Sequence, residues 1–98
     1  MRLILLAAAA GALLASPAFA DSWSAVPAQP SKATGFVGSN LIWDCAASGC
    51  HSVSDTSNGE DASECRGVAR QVGQLTAFTG RKAFDADKLA KCNQAARK

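Results

Sequence analysis

The sequence has little of the chemistry that enzymes and metalloproteins use. Among its 98 residues there is a single histidine, His51, and the single methionine is the initiator. A nucleophile needs a base beside it, and His51 directly follows a cysteine that we expect to be disulfide-bonded. The chain has no redox C-x-x-C pair, and no glycine-rich phosphate loop follows a predicted strand. We therefore predict that the protein is not an enzyme and has no metal and no cofactor.

A long apolar run is also missing. The apolar stretch over residues 3–14 is soon interrupted by a Ser-Pro pair, whereas a membrane-spanning helix needs about 20 apolar residues. Arg2 precedes this stretch, and Ala18-Phe19-Ala20 places small residues where a signal peptidase reads them. We expect residues 1–20 to be a signal peptide cleaved before Asp21. The product is then periplasmic or secreted, with no membrane span.

Large apolar side chains are scarce after residue 20, so the predicted core is small. Ordering each backbone residue costs roughly 1–2 kcal/mol, so such a domain is marginally stable unless its unfolded state is constrained. Disulfides supply that constraint, typically about 2–4 kcal/mol each, and they form in the oxidising compartments that exported proteins enter. We expect Cys45, Cys50, Cys65 and Cys92 all to be disulfide-bonded.

Hydrophobic periodicity predicts a small α+β domain over residues 35–98. Residues 21–34 contain two prolines and no periodic pattern, so we expect a flexible leader in which Trp23 is exposed. The predicted elements are strand 35–45, strand 50–53, helix 61–72, strand 75–79 and helix 86–96. This β-β-α-β-α order predicts a small, mostly antiparallel sheet with both helices on one face.

Capping residues mark the ends of both predicted helices. Asp61 with Glu64 three residues later is typical of a capping box, and Gly73 is a typical stop. Asp85 is the expected N-cap of the second helix.

Helical periodicity favours one pairing of the cysteines. Cys65 and Cys92 lie on the apolar stripes of the two predicted helices, so a Cys65–Cys92 bridge between packed helices is the simplest arrangement. Cys45 is then left to pair with Cys50. The alternative of Cys45–Cys65 with Cys50–Cys92 stays open, because spacing alone does not choose among the three connectivities.

Several motifs resemble those of a known group of proteins. They are Leu41-Ile42-Trp43-Asp44-Cys45 followed by Cys50, Cys65-Arg66-Gly67-Val68-Ala69-Arg70-Gln71-Val72-Gly73, Leu75–Phe78 and Asp85–Asn93. Over residues 41–93 the sequence resembles a family of short exported alphaproteobacterial proteins. The resemblance implies periplasmic export and a frame of four cysteines. It transfers no catalytic residue, because none is established for that family, whose members vary at the position of His51.

The string Cys45-Ala46-Ala47-Ser48-Gly49-Cys50-His51 raises the alternative of a c-type haem electron carrier. It is a lengthened form of C-x-x-C-H, in which two thioethers hold haem and the histidine binds iron. No second histidine or mature methionine supplies a distal ligand, and Cys45 continues a strand pattern. The long gaps on either side of Cys65 also disfavour a zinc site. We therefore expect a structural disulfide, and a minor envelope enzyme remains a further alternative.

Charge is unevenly divided along the chain. Residues 21–64 carry six acidic residues and one lysine, whereas residues 65–98 carry eight basic residues and two acidic ones. In one interpretation the halves complement each other and the helix faces are simply solvated. In the other, a basic face binds an anionic envelope component or an acidic protein, and its residues are Arg66, Arg70, Arg81 and Lys82. No aromatic residues alternate with these cations, so nucleic acid is not an expected partner. The favoured hypothesis is a binding or structural accessory.

Overall fold

The computed structural model describes residues 22–97. Within that range the protein has five strands and two helices, numbered in chain order. They are β1 (Ser24–Pro27), β2 (Phe36–Val37), β3 (Ile42–Ala46), β4 (Gly49–Ser52), α1 (Asp61–Val72), β5 (Leu75–Thr79) and α2 (Ala86–Asn93). The predicted signal peptide, residues 1–20, and its cleavage site lie outside the described residues.

The strands form one antiparallel sheet in the order β2-β3-β4-β1-β5. Helix α1 packs on β1, β2 and β5, and α2 packs on α1 and β5. The predicted α+β class, with an antiparallel sheet and two helices, is confirmed. The sheet has two more strands than predicted, and both of them, β1 and β2, are short.

Strand β1 lies in the segment predicted to be a flexible leader, and that prediction is wrong there. Trp23 is only 4% exposed. Ser24 pairs with His51 on β4 and with Thr79 on β5, so β1 is an interior strand. The ladder becomes irregular at Pro27, where a strand tolerates the missing N–H. Exposed and buried residues alternate over only four positions, which is too short a pattern to stand out beside two prolines.

The strand predicted over residues 35–45 is in fact a hairpin of β2 and β3. The chain turns at residues 38–41, where the N–H of Gly38 donates to the carbonyl oxygen of Leu41 at 3.0 Å. Val37 therefore pairs with Ile42 and faces away from the helices, and it is 54% exposed. An unbroken strand over residues 35–45 would have placed Val37 on the same face as Trp43, because alternate residues of a strand share a face.

Helix α1 has the predicted bounds but a different cap. Glu60 is the N-cap, and its carboxylate accepts from the N–H of Ser63 at 3.0 Å. Gly73 ends the helix with a φ of 94°. A Cβ at Gly67 would lie 1.8 Å from the carbonyl oxygen of Gly38, so only glycine lets the helix backbone approach the 38–41 turn this closely.

Both disulfides have the favoured pairing. Cys65 bonds to Cys92, with 5.9 Å between their Cα atoms, and Cys45 bonds to the directly opposite Cys50 across the β3–β4 hairpin. The pairing prediction is confirmed and the alternative connectivity is wrong. Helix α2 begins after Asp85, whose carboxylate accepts from the N–H of Lys88 at 2.9 Å, and it ends at residue 93 rather than 96.

The core lies between α1 and the sheet, and aromatic rings connect it to α2. Trp43, Phe78 and Val68 are fully buried. The centroid of the Phe78 ring lies 5.8 Å from that of Trp43 and 4.9 Å from that of Phe84. This stack extends the core to Phe84, immediately before α2.

Candidate functional site

Helix α1 presents two arginines on its solvent side. Its buried face includes Cys65 and Val68, whereas Arg66 and Arg70 are exposed. Residues four apart in a helix are neighbours on one face. Arg66 and Arg70 are therefore adjacent cations.

The Cys65–Cys92 disulfide places two further cations beside Arg66. Lys91 directly precedes Cys92 in α2, and Lys88 lies one turn earlier on the same face. Both lysines are exposed. The disulfide holds α2 against α1, so Arg66, Lys88 and Lys91 line a single cavity.

We call this cavity the α1–α2 hollow. It has a volume of about 130 Å³. Its lining consists of Ala62, Arg66, Phe84, Lys88, Lys91 and Cys92. Ala62 and Phe84 are partly buried, Cys92 is buried and the three cations are exposed, so we call the apolar members its floor and the cations its rim. The backbone N–H of Phe84 donates to the carbonyl oxygen of Phe78 at 2.9 Å, and its ring packs on the Phe78 ring. The hollow therefore combines three positive charges with a rigid apolar floor and no acidic lining residue.

Arg81, which the sequence placed on the basic face, makes contacts within the domain. Its guanidinium carbon lies 5.5 Å from the centroid of the Trp23 ring, and its Nη2 donates to the carbonyl oxygen of Gly59 at 2.9 Å. Its backbone N–H is directed at the carboxylate of Asp61. Arg81 thus connects the turn after β5 to Trp23 and to the segment from Gly59 to Asp61 at the start of α1. Lys82, in the same turn, is exposed and does not line the hollow.

Of the four predicted residues, Arg66 alone lines the hollow, and Lys88 and Lys91 were missed. Their positions did carry a signal. They precede Cys92 by four residues and one residue, so the favoured Cys65–Cys92 pairing already placed them near α1.

Glu64 is a buried carboxylate that the sequence prediction misassigned as a capping partner. It is 0% exposed and binds the turn between β2 and β3. Its oxygens accept from the N–H groups of Ser39 at 3.0 Å, Leu41 at 3.1 Å and Asn40, and from Nε1 of Trp43 at 3.1 Å. Glu64 precedes Val68 by four residues, so helical periodicity put it on the buried stripe. Its role is structural, since it fastens the turn to α1.

A row of polar residues crosses the sheet face opposite the helices. Asp44 pairs with His51 on β4, and His51 pairs with Ser24 on β1, so His51 stands between a carboxylate and a hydroxyl. No motif in the sequence associates these three residues. A serine, a histidine and an aspartate side by side suggest acyl transfer, but that reaction also needs hydrogen-bond donors that stabilise an oxyanion. The backbone amides around Ser24 lie in strands paired on both sides, so the row by itself does not assemble that machinery.

The C-x4-C-H string forms the β3–β4 hairpin. A thioether-bound haem would require the two sulfur atoms that the Cys45–Cys50 disulfide uses. No cluster of three histidine, cysteine, aspartate or glutamate side chains arranged for a metal occurs within residues 22–97.

Two carboxyl groups outside the hollow have perturbed acidities. Hydrogen bonds from the backbone and side chain of Ser57 lower the pKa of Asp55. Hydrogen bonds from the side chain and backbone of Ser63 lower the pKa of Glu60. The charge of Arg66 makes a smaller contribution to the lowered pKa of Glu60, so this carboxylate attracts one of the cations that line the hollow.

Comparison with known proteins gives a family but no assigned activity. The family of unknown function (DUF8200) matches residues 5–94. No curated protein and no solved structure matches the chain. In the part of the chain that the structure describes, neither helix is long and apolar enough to span a bilayer.

Proposed function

The chain belongs to the family of unknown function (DUF8200), and from its own geometry we propose that it is an exported, non-enzymatic protein that binds an anionic component of the cell envelope. The binding surface is the cationic face, which we define as Arg66, Arg70, Lys88 and Lys91. Arg81 and Lys82 are left out of it.

The observation that carries the proposal is the convergence of Arg66, Lys88 and Lys91 on one hollow. Arg66 is attracted to the Glu60 carboxylate, whose pKa its charge helps to lower, whereas Lys88 and Lys91 are exposed cations with no acidic residue in the lining of the hollow. Arginine binds phosphate and carboxylate groups through paired N–H donors, and lysine adds a compact positive charge. The set therefore suits phosphate or carboxylate groups.

Two features support an exported protein. The predicted signal peptide precedes the domain, and two disulfides suit an oxidising compartment such as the periplasm. Phosphate-bearing lipids and polysaccharides are the abundant anions that a periplasmic or secreted cationic face would meet.

Vesicle binding tests the proposal. The exported protein, recovered in its oxidised form, is sedimented with phosphatidylglycerol vesicles and with neutral phosphatidylcholine vesicles at low and at about 0.15 M salt. We expect binding to the anionic vesicles that falls with salt, because at 0.15 M the Debye length is about 8 Å.

Charge-matched variants locate the surface. Arg66→Glu with Lys91→Glu should abolish sedimentation, whereas Lys32→Glu with Lys82→Glu, which changes net charge equally at exposed sites outside the hollow, should retain most of it. Equal losses in the two double variants would contradict a localised site, and no sedimentation of the unmodified protein at low salt would contradict the function itself.

A further inference from the structure

The floor of the α1–α2 hollow indicates which anions it distinguishes. We propose that the hollow is a specific site for an organic anion in which a phosphate or carboxylate is attached to one small apolar group, such as a phenyl ring or a chain of about six carbons. This inference rests on the proposed function and narrows its ligand class.

The lining of the hollow has residues that match each half of such a ligand. The rim holds Arg66, Lys88 and Lys91, which attract the anionic group, and the floor holds Ala62, Phe84 and the Cys92 end of a disulfide. An inorganic phosphate would contact the cations of the rim and leave the apolar floor exposed to water. An attached apolar group covers the floor, and removing apolar surface from water favours binding.

The volume limits the size of the apolar group. The hollow measures about 130 Å³. An engineered cavity of about 150 Å³ in another protein holds one benzene molecule. The hollow is therefore large enough for one ring or a short chain and too small for a complete lipid acyl chain.

The floor is held in place before any ligand arrives. Cys92 is covalently bound to Cys65 in α1, and the Phe84 ring packs at a tilt against the buried Phe78 ring with 4.9 Å between centroids. A site that is ordered beforehand loses less entropy on binding. The preformed floor therefore favours selectivity for shape as well as charge.

NMR titration of the ¹⁵N-labelled exported protein tests this inference. The probes are phenyl phosphate and hexanoate, with inorganic phosphate and acetate as matched anions and benzyl alcohol as a matched apolar group without charge. Covering the floor with a ring should make phenyl phosphate bind about tenfold more tightly than inorganic phosphate. Amide shifts should centre on Ala62, Phe84, Lys88 and Lys91.

Ala62→Leu separates the floor from the rim. Ala62 is partly exposed on α1, and a larger side chain there fills the floor without removing a cation. The variant should lose the preference for phenyl phosphate over inorganic phosphate while still sedimenting with anionic vesicles. Lys91→Gln should weaken both kinds of binding, and Lys82→Gln should change neither.

The outcomes separate this inference from the general function. Equal affinity for phenyl phosphate and inorganic phosphate, or shifts remote from the hollow, would overturn the inference and leave vesicle binding standing. Tight binding of phenyl phosphate without vesicle sedimentation would support the hollow, identify its ligand as a free small molecule, and overturn the envelope role.

Discussion

The side-chain amide of Asn93 pairs with the backbone of Leu75 as a neighbouring strand would. The N–H of Leu75 donates to Oδ1 of Asn93 at 2.8 Å, and Nδ2 of Asn93 donates to the carbonyl oxygen of Leu75 at 2.8 Å. A free strand edge presents unpaired donors and acceptors that favour aggregation. The Asn93 side chain therefore occupies the backbone donor and acceptor of Leu75, the first residue of the edge strand β5, and it binds the end of α2 to the sheet.

Replacing Asn93 tests this pairing. Asn93→Asp keeps an acceptor but loses the donor, and it sets a carboxylate against the Leu75 carbonyl, so the free energy of unfolding should fall by about 1–3 kcal/mol. Urea unfolding measures the change, with the exposed neighbour Gln94→Ala as control. If Asn93→Asp unfolds at the same urea concentration as Gln94→Ala, the pairing is not stabilising.

Glu64→Gln should be strongly destabilising although it preserves shape. Each carboxylate oxygen of Glu64 accepts two N–H donors, and an amide replaces one of those oxygens with a group that donates. One buried donor and one partly buried donor then lose their acceptor, and the buried one alone costs about 1–3 kcal/mol. Chemical unfolding monitored by tryptophan fluorescence reports the loss, and the comparison variant is Glu60→Gln, at an exposed glutamate whose carboxylate accepts only from Ser63. A cost below that of Glu60→Gln would contradict the role of the carboxylate.

Arg81 and Lys82 are adjacent cations with different expected roles. Arg81→Ala removes the guanidinium from Trp23 and from the Gly59 carbonyl, and it should cost about 1 kcal/mol. Lys82→Ala should change stability by no more than about 0.5 kcal/mol. Thermal unfolding of the two variants measures the difference, and equal melting temperatures would refute the structural role of Arg81.

The two disulfides should contribute unequally. Peptide mapping under non-reducing conditions should recover Cys65 linked to Cys92. Their sequence separation is 27, against 5 for Cys45–Cys50, and a longer closed loop restricts the unfolded chain more. The Cys65→Ala, Cys92→Ala double variant should therefore lose about 1.5 kcal/mol more than the Cys45→Ala, Cys50→Ala variant. The opposite order in urea unfolding would show that native-state effects outweigh the chain entropy.

The Glu60 cap should make the stability of the folded protein depend on pH. Hydrogen bonds from Ser63 lower its folded-state pKa below the usual value of 4.5, so its contribution is present above that value and is lost as the pH falls through the lowered pKa. The melting temperature of Glu60→Gln should lie below that of the unmodified protein at pH 7, and the gap should narrow by pH 3. A gap that is constant with pH would exclude a charge-dependent cap.

The helices were predictable because their signals are local. Cys65 and Cys92 sit on clear apolar stripes, and the bounds of α1 agree with its pattern. Strand β1 was missed because its place in the sheet depends on partners far along the chain, at His51 and Thr79. Its four residues carry too little periodicity to reveal that placement.

The candidate site was predictable only in part for a similar reason. Charge counting located the basic half of the chain, but it did not distinguish Arg81, which is directed at Trp23, from Lys88 and Lys91, which border the hollow. That distinction depends on how α2 crosses α1. Glu64 was misassigned because its partners are backbone N–H groups of a turn more than 20 residues away, which leave no mark in the sequence.

The placement of β1 between β4 and β5 has a consequence for how the protein is made. A ribosome synthesises the N-terminal strand first, yet the partner of Ser24 on β5 is Thr79, near the other end of the chain. Contacts this distant in sequence form late, because a long loop must close before they are gained. The sheet therefore stays incomplete while most of the polypeptide is being synthesised. Late completion of the sheet suits the export proposed above, because a translocation channel passes a chain that has not yet folded.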